Sequence, residues 1–389
     1  MKIGIITYWQ SNDNYGQQLQ CWALQQYLKS QGHEPYLIRY DFANRKLPVN
    51  HLKRLIKLCL VYPVIKKLIN RKKAISAKRI QDEIAVKNQQ RNFASFQNEH
   101  IAKSDKLYHS LDELKANPPV ADLYIAGSDQ IWSQLLDIKE NEVFFLNFGD
   151  SNQGRVSYAA SFGMKQYPTE LNVALKENLS RFDFVSVREK AGVNICKNVG
   201  LDARFVLDPT LLLDSDKYRS IDATKRTGDY IYIYSLNVKS ASEMYFGEVS
   251  KYASQRGYKI VVTPASGCTY GIELFEGVEY DYATIPAWLS NIENAKLVVT
   301  TSFHGIVFCL LMHTPFVYIP LKGALSGMNN RITNLLSSIG LDRHIANNGD
   351  DVYRIAECCI NWDDVDKRIE KLRQDSYEFL RVATRYGNN

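Results

Sequence analysis

The chain has 389 residues, with 48 Lys+Arg against 42 Asp+Glu, a formal net charge of +6, 45% hydrophobic residues and 23% charged ones. That length suggests two or three domains around a sizeable core, and 21 Gly with 11 Pro exclude a disordered, collagenous or small disulfide-stapled chain. Seven cysteines without CxxC spacing or a neighbouring histidine argue against a zinc site and a disulfide framework, so the reading is of a reducing, cytoplasmic compartment.

In chain order, residues 1–47 read as strand (Ile3 to Trp9), polar loop (Ser11 to Tyr15), helix (Gly16 to Lys29) and strand (Pro35 to Tyr40). The first residues, KIGIITYW, suit a buried strand and lack the charged segment and long apolar run of a secretion signal. A basic segment follows. Residues 51–91 hold 12 Lys/Arg against Asp82 and Glu83, a local +10 that leaves the remainder at about −4. Leu52, Leu55, Ile56, Cys59, Leu60, Val64, Ile65, Leu68 and Ile69 recur there at helical spacing among Lys53, Arg54, Lys57, Lys66 and Lys67, a pattern interrupted by Pro63. Two readings stay open: a helical hairpin resting on an anionic membrane surface, and a solvated helix packed on its own domain. Nucleic acid is disfavoured as a partner, because this block has few aromatics to stack on bases and the rest of the chain is acidic.

Further strands are expected at Leu123–Ala126, Val156–Ala160, Phe184–Val187 and Phe205–Leu207. After the polar stretch Asp222 to Asp229 a second set begins: Tyr230–Ser235, Tyr258–Thr263, Leu297–Thr301 and Phe316–Ile319. Between Lys296 and Lys322 lie 25 residues without Asp, Glu, Lys or Arg, long enough to cross a bilayer. Thr300, Thr301, Ser302, His304 and Thr314-Pro315 interrupt that run, which parses better as strand, buried helix (Phe303 to Met312) and strand. The fold class is therefore α/β, with mostly parallel sheets in two domains. The first domain spans 1–222, with a basic helical insertion at 48–100, and the second spans 223–360. A last helix, Asp363 to Val382 within 361–385, is expected to pack back on the first domain.

Ligands of open α/β sheets bind outside the carboxyl ends of the strands, so the segments after each strand carry the functional reading. After the first strand, Asn14-Tyr15-Gly16 opens a helix, either as a mere turn or as a place to hold an acceptor. Gly127-Ser128-Asp129-Gln130-Ile131-Trp132 combines polar groups for sugar hydroxyls with an indole face for the ring. Arg188 ends another strand, either reaching the cleft to bind phosphate or carboxylate, or pairing on the surface with Glu189 or Asp183. Asp208-Pro209-Thr210 reads as a turn or helix start fixed by Pro209. The sharpest feature is Thr301-Ser302-Phe303-His304-Gly305. Ser302 is an N-cap, His304 lies in the first helical turn, and the amides of Phe303, His304 and Gly305 face an anion. His304 is the candidate acid or base. His33, His51, His100, His109, His313 and His344 are read as structural. Lys322 to Arg331 is a Gly-containing basic loop, either a lid over a phosphorylated ligand or an ordinary surface loop.

NYGQQLQCWAL, GSDQIW, SYAASFG, SVREK, LDPTLLL and SFHGIVFCLLMHTPFV, in this order, resemble the polysaccharide pyruvyl transferases from Met1 to about Leu341. The resemblance implies two Rossmann-like domains in a GT-B-like arrangement with a cleft between them. It also implies transfer of pyruvate from phosphoenolpyruvate to two hydroxyls of a sugar, giving a cyclic ketal and phosphate, with no cofactor or metal. It puts the catalytic histidine at His304 and a donor-contacting arginine at Arg188, and Ser302, Phe303 and Gly305 of the helix start read above are the further expected donor contacts. Many relatives carry Arg-Leu-His-Gly where this chain has Ser302-Phe303-His304-Gly305, so Arg331 or Lys322 is expected to supply the missing charge. Asn14, Tyr15, Gly16, Gly127, Ser128, Asp129, Gln130 and Trp132 are the expected acceptor contacts. A lipid-linked acceptor, on undecaprenyl diphosphate, would explain the basic segment and put the protein at the inner face of the membrane. The rivals are a GT-B nucleotide-sugar glycosyltransferase and a non-catalytic glycan-assembly protein.

Overall fold

The computed structural model describes residues 1–11, 13–42, 83, 85–133, 135–136, 139–221, 225–265 and 273–386. The amphipathic pattern read at 51–82 therefore lies outside the described residues. Two five-stranded parallel sheets organise the rest. The first contains β1 (Lys2–Ile6), β2 (Glu34–Tyr40), β3 (Lys103–Tyr108), β4 (Leu123–Gly127) and β5 (Gly154–Tyr158) in the order β3-β2-β1-β4-β5. Single bridges from Val156 to Phe184 and from Ala160 to Val187 extend it to the pair β6 (Ser186–Val187) and β7 (Arg204–Phe205). The second contains β8 (Tyr230–Ser235), β9 (Lys259–Pro264), β10 (Glu279–Tyr280), β11 (Leu297–Thr300) and β12 (Phe316–Tyr318), ordered β10-β9-β8-β11-β12. Both sheets thus run 3-2-1-4-5, the doubly wound Rossmann order.

Central strands buried on both faces carry continuous apolar or aromatic runs, which is why LYIAG and YIYIYS were legible as strands. Two edge strands were not legible: β3 reads KSDKLY, polar and only partly buried, and β10 is two residues long. The first strand also stops short of Trp9. Thr7 Oγ1 turns to donate to the Ser128 carbonyl (2.8 Å), and Trp9 Nε1 donates to the Tyr40 carbonyl (3.0 Å), so both leave the ladder. The uncharged 297–321 run is indeed strand, buried helix Phe303–Met312 and strand. Among the described residues no helix is long and apolar enough to cross a membrane.

The sheets face one another through a shared core. Tyr15, Leu19 and Trp22 of the first helix, Tyr15–Ser30, pack in one cluster with Tyr234, Trp288 and Phe308 of the second unit. The C-terminal helix Trp362–Tyr386 spans both units. Val365 and Ile369 join that shared cluster, whereas Phe379, Leu380 and Ala383 pack with Ile3, Ile5 and Leu24 beneath the first sheet. Its Ser376 Oγ accepts from the Leu207 amide (2.9 Å), and Arg373 Nε donates to the Leu211 carbonyl (2.8 Å). These two bonds brace the segment that carries Asp208.

Candidate active site

In each sheet the chain reverses direction of winding between the first and fourth strands, and there the loops splay apart to leave a crevice. The two crevices face each other. A cavity of about 130 Å³ lies between them, lined by Asn14, Asp129 and Gln130 from the first unit. Leu236, Asn237, Thr301 to His304, Leu321, Met328, Asn329, Arg331 and Ile332 line it from the second.

The strand β11 ends in Thr300, whose hydroxyl accepts from the Ser302 amide (3.0 Å) and turns the chain into the helix Phe303–Met312. Ser302 is the N-cap, its Oγ accepting from the Gly305 amide at 3.2 Å. That corrects one expectation, because the Gly305 amide is already used and only those of Phe303 and His304 remain to face an anion. Gly305 has a packing role: a Cβ there would lie 2.6 Å from Thr300 Oγ1. His304, buried with 8% of its side chain exposed, lies against the first unit, where a Cβ on Gly16 would come within 1.9 Å of its Nδ1. Gly16 therefore makes room for the histidine ring and does not face an acceptor.

Phe303 is flanked by two guanidinium groups, Arg188 at 5.1 Å and Arg331 at 5.6 Å from its ring centre. Arg188 is neither a surface residue nor paired with Glu189 or Asp183. Its Nη1 donates to Asp208 Oδ2 (2.8 Å) and its Nη2 to Asp129 Oδ1 (3.1 Å), with 1% of the side chain exposed. Burial opposes its charge, but Asp208, Asp129 and Glu189 outweigh it and raise the guanidinium above its ordinary range. Arg331 differs. It sits in the first turn of the helix Asn330–Ser338, buried, and among the described residues no carboxylate comes within ion-pair distance. Its Nε has no hydrogen-bond partner. Burial, reinforced by repulsion from Arg188, pushes its pKa down to about 10 against the pull of Asp129, Glu189 and Asp208. The end of the 322–331 segment is held, since Asn329 accepts from the Tyr318 hydroxyl and the Leu321 amide, both at 2.9 Å.

Other expected contacts fall outside the cavity. Lys322 is exposed, with Nζ on the Tyr245 hydroxyl at 3.0 Å. Tyr15 is core: it stacks on Trp288 (5.1 Å, 8°), and its hydroxyl donates to the Ala283 carbonyl and accepts from Arg91, both at 2.6 Å. Trp132 is also core, stacked on Phe145 with Nε1 donating to the Phe144 carbonyl, so its face is not offered to a sugar. Ser128 is fully buried between Gln20, Ala159 and Asp208. Gly127 is required by close approach, since a Cβ would lie 2.1 Å from the Tyr158 carbonyl oxygen at φ +126°. The indole and hydroxyl turned inward because a six-residue motif read in line hides which side chains point to the core. Asn14, Asp129 and Gln130 are the expected acceptor residues that do reach the cavity, Asn14 while also capping the first helix through Gln17 (3.1 Å). Of the histidines read as structural, His313 closes the far end of the helix with Nε2 3.0 Å from Asp366, and His344 is buried against Phe316.

Sequence reasoning passed over Asp208 and Asn237. Asp208 does cap the turn as read, accepting from the Thr210 amide (3.1 Å), but the same carboxylate meets Arg188, Ser128 and, at 3.6 Å, His304. Asn237 follows β8 directly, so the strand-end rule would have found it.

Residues 14–322 match the family model described as polysaccharide pyruvyl transferase. A search of curated proteins finds no match. Among solved structures, an alpha-glucosyltransferase in complex with UDP-glucose and abasic-site DNA is 13% identical, covering 99% of each chain with a TM-score of 0.48. The UDP-N-acetylglucosamine 2-epimerase from Rickettsia bellii is 10% identical, covering 100% of this chain and 96% of its own, with a TM-score of 0.46. Likeness at that level says nothing about substrate. The family model runs from the loop after β1 to the loop after β12, through the crevices of both sheets, and on that match the chain belongs to the polysaccharide pyruvyl transferase family.

Proposed function

We propose that the protein transfers pyruvate from phosphoenolpyruvate to two hydroxyls of one sugar, forming a cyclic ketal and releasing phosphate. The observation that carries this reading is Arg331, a buried guanidinium with no carboxylate at ion-pair distance among the described residues, on a cavity shared with His304 and a helix N-terminus. Such a set favours a small, highly charged anion. Phosphoenolpyruvate is an enol phosphate. Protonation of its methylene carbon by His304 makes the adjacent carbon an oxocarbenium that one sugar hydroxyl attacks; loss of phosphate and attack by the second hydroxyl close the ketal. Asp129 on the same cavity is the carboxylate to receive a hydroxyl proton. An acceptor carried on a lipid would give the basic segment 51–91 an anionic surface to rest on, with the protein peripheral to the membrane.

Thermal unfolding tests the donor assignment. At about 100 times its dissociation constant, phosphoenolpyruvate should stabilise the wild type by about 2.7 kcal/mol, and Arg331→Met should lose that gain. Stabilisation by UDP- or GDP-sugars instead would favour the glycosyltransferase reading. With a diol acceptor supplied, His304→Gln should keep the donor stabilisation yet lose phosphate release by about 10²–10⁴-fold. A non-catalytic protein would show no such loss.

A further inference from the structure

The cavity around Arg331 has a neighbour. A second one of about 150 Å³ lies at the carboxyl edge of the second sheet, and Asn237, Thr301 and Leu321 line both. The apolar part of its lining is Val238, Pro320 and Leu325, and the charged part is Lys239, Glu243 and Lys322. Apolar and polar walls together suit a pyranose, which has C–H faces as well as a hydroxyl edge. Every lining residue belongs to the second unit, whereas Tyr15, Ser128 and Trp132 of the first unit, the contacts expected for an acceptor, are committed to the core.

Asn237 stands on the wall between the two cavities. It follows β8 with its backbone in the left-handed region (φ +59°), which asparagine tolerates better than most side chains do. The Thr301 hydroxyl fixes the preceding residue, accepting from the Leu236 amide (2.8 Å) and donating to the Leu236 carbonyl (2.9 Å). Among the described residues, the contact of the Asn237 carboxamide is Met328 Sδ, 4.0 Å from Nδ2. A thioether is a weak acceptor, and a hydroxyl readily takes its place. The other polar side chains of the first cavity are engaged at one atom or more. Asn14 Oδ1 accepts from the Gln17 amide, and Asp129 Oδ1 accepts from Arg188 and from the Gln130 amide. Asn329 uses both ends of its amide on Tyr318 and Leu321. Gln130 lines the first cavity but not the second.

We propose that the second cavity is the sugar site of the acceptor, and that Asn237 is the specificity-determining residue that holds the sugar's hydroxyl pair at the wall between the cavities. The inference rests on the pyruvyl-transfer reading and adds to it where the acceptor sits and which group reads it. A carboxamide carries a donor and an acceptor side by side, so it can donate to one hydroxyl and accept from the next. Two hydroxyls bridged in this way lie on one edge of the ring, as closure of a cyclic ketal demands. A sugar whose hydroxyls are turned apart leaves half of the amide unpaired and is discriminated against.

The test is phosphate release from phosphoenolpyruvate by the full chain, with the methyl glycosides of galactose, glucose, mannose and N-acetylglucosamine supplied in excess as acceptor probes. Since the site takes a single sugar ring, wild type should turn over at least one of them. Asn237→Gly removes the carboxamide and keeps the left-handed backbone without strain, so the fold and the stabilisation by phosphoenolpyruvate should persist. Its kcat/KM for the glycoside should fall about 10–100-fold, chiefly through the glycoside KM, and its preference among the glycosides should narrow, while the phosphoenolpyruvate KM stays within about twofold of wild type. Leu325→Trp fills the second cavity from a wall that the first does not share, and should raise the glycoside KM in the same selective way. Unchanged glycoside KM and preference in Asn237→Gly would overturn the inference, and so would a loss of phosphoenolpyruvate stabilisation that matches the loss of turnover. Should Asn237→Gly not fold, an unchanged glycoside KM in Leu325→Trp defeats the proposal by itself. Wild type that is stabilised by phosphoenolpyruvate yet turns over none of these glycosides would also overturn it. Wild type that phosphoenolpyruvate does not stabilise would overturn the pyruvyl-transfer reading instead, a distinct result.

Discussion

The two units share a strand order yet bring opposite electrostatic states to the cleft. Arg188 of the first is tied into two ion pairs, with Asp208 and Asp129, and its charge is spent within the protein. Arg331 of the second is also buried, and among the described residues it has no such partner. Both guanidinium groups flank the same phenyl ring, so the contrast arises from their neighbours and not from depth. Paired charge at a cleft wall acts as scaffold; unpaired buried charge is unfavourable until an anion arrives, and it marks where that anion sits.

The contrast can be broken in three ways. Arg188→Ala would leave buried Asp208 and half-buried Asp129 without their cation, and the expected cost is about 3–5 kcal/mol of folding stability by denaturant melts. A near-neutral result would mean that Arg188 is as unpaired as Arg331. Gly16→Ala tests the seat of the histidine: the new methyl would displace a ring whose Nδ1 lies 1.9 Å from the ideal Cβ position. Turnover should fall by about 10²-fold, and the melting temperature should fall too, because the methyl also comes within 2.6 Å of the His304 Cβ and the buried contact must open by backbone movement, at a cost of about 1–3 kcal/mol. The smallest effect has the opposite sign. Arg331→Met should stabilise the unliganded protein by about 0.5–2 kcal/mol, since it replaces an unpaired buried charge with an apolar chain of similar length. If it destabilised instead, Arg331 would have a structural partner in the folded state.

Most of the scaffold was legible in the chain itself. Apolar runs separated by polar turns located ten of the twelve strands to within a few residues, and the helix Phe303–Met312 was bounded as found. Polar β3 and two-residue β10 escaped because an edge strand needs neither an apolar face nor length when its neighbour supplies the ladder. Within the site, His304 and Ser302 were readable because a strand, a cap and a helix start fix their position locally. Trp132 and Tyr15 were misread as ligand contacts because only packing decides which way an aromatic in a loop turns.

Asp208 marks that division most clearly. Its local role, capping the turn at Pro209, follows from three adjacent residues. Its long-range contacts are with Arg188, 20 positions earlier, and with His304, 96 positions later in the other unit. The chain by itself determined the α/β alternation and the histidine at a strand end, since these are written in short-range patterns of polarity and capping, while the family was legible through its ordered motifs. Only the tertiary structure decided which charges are satisfied, because ion pairing is a relation between distant segments, and burial makes every unpaired member count.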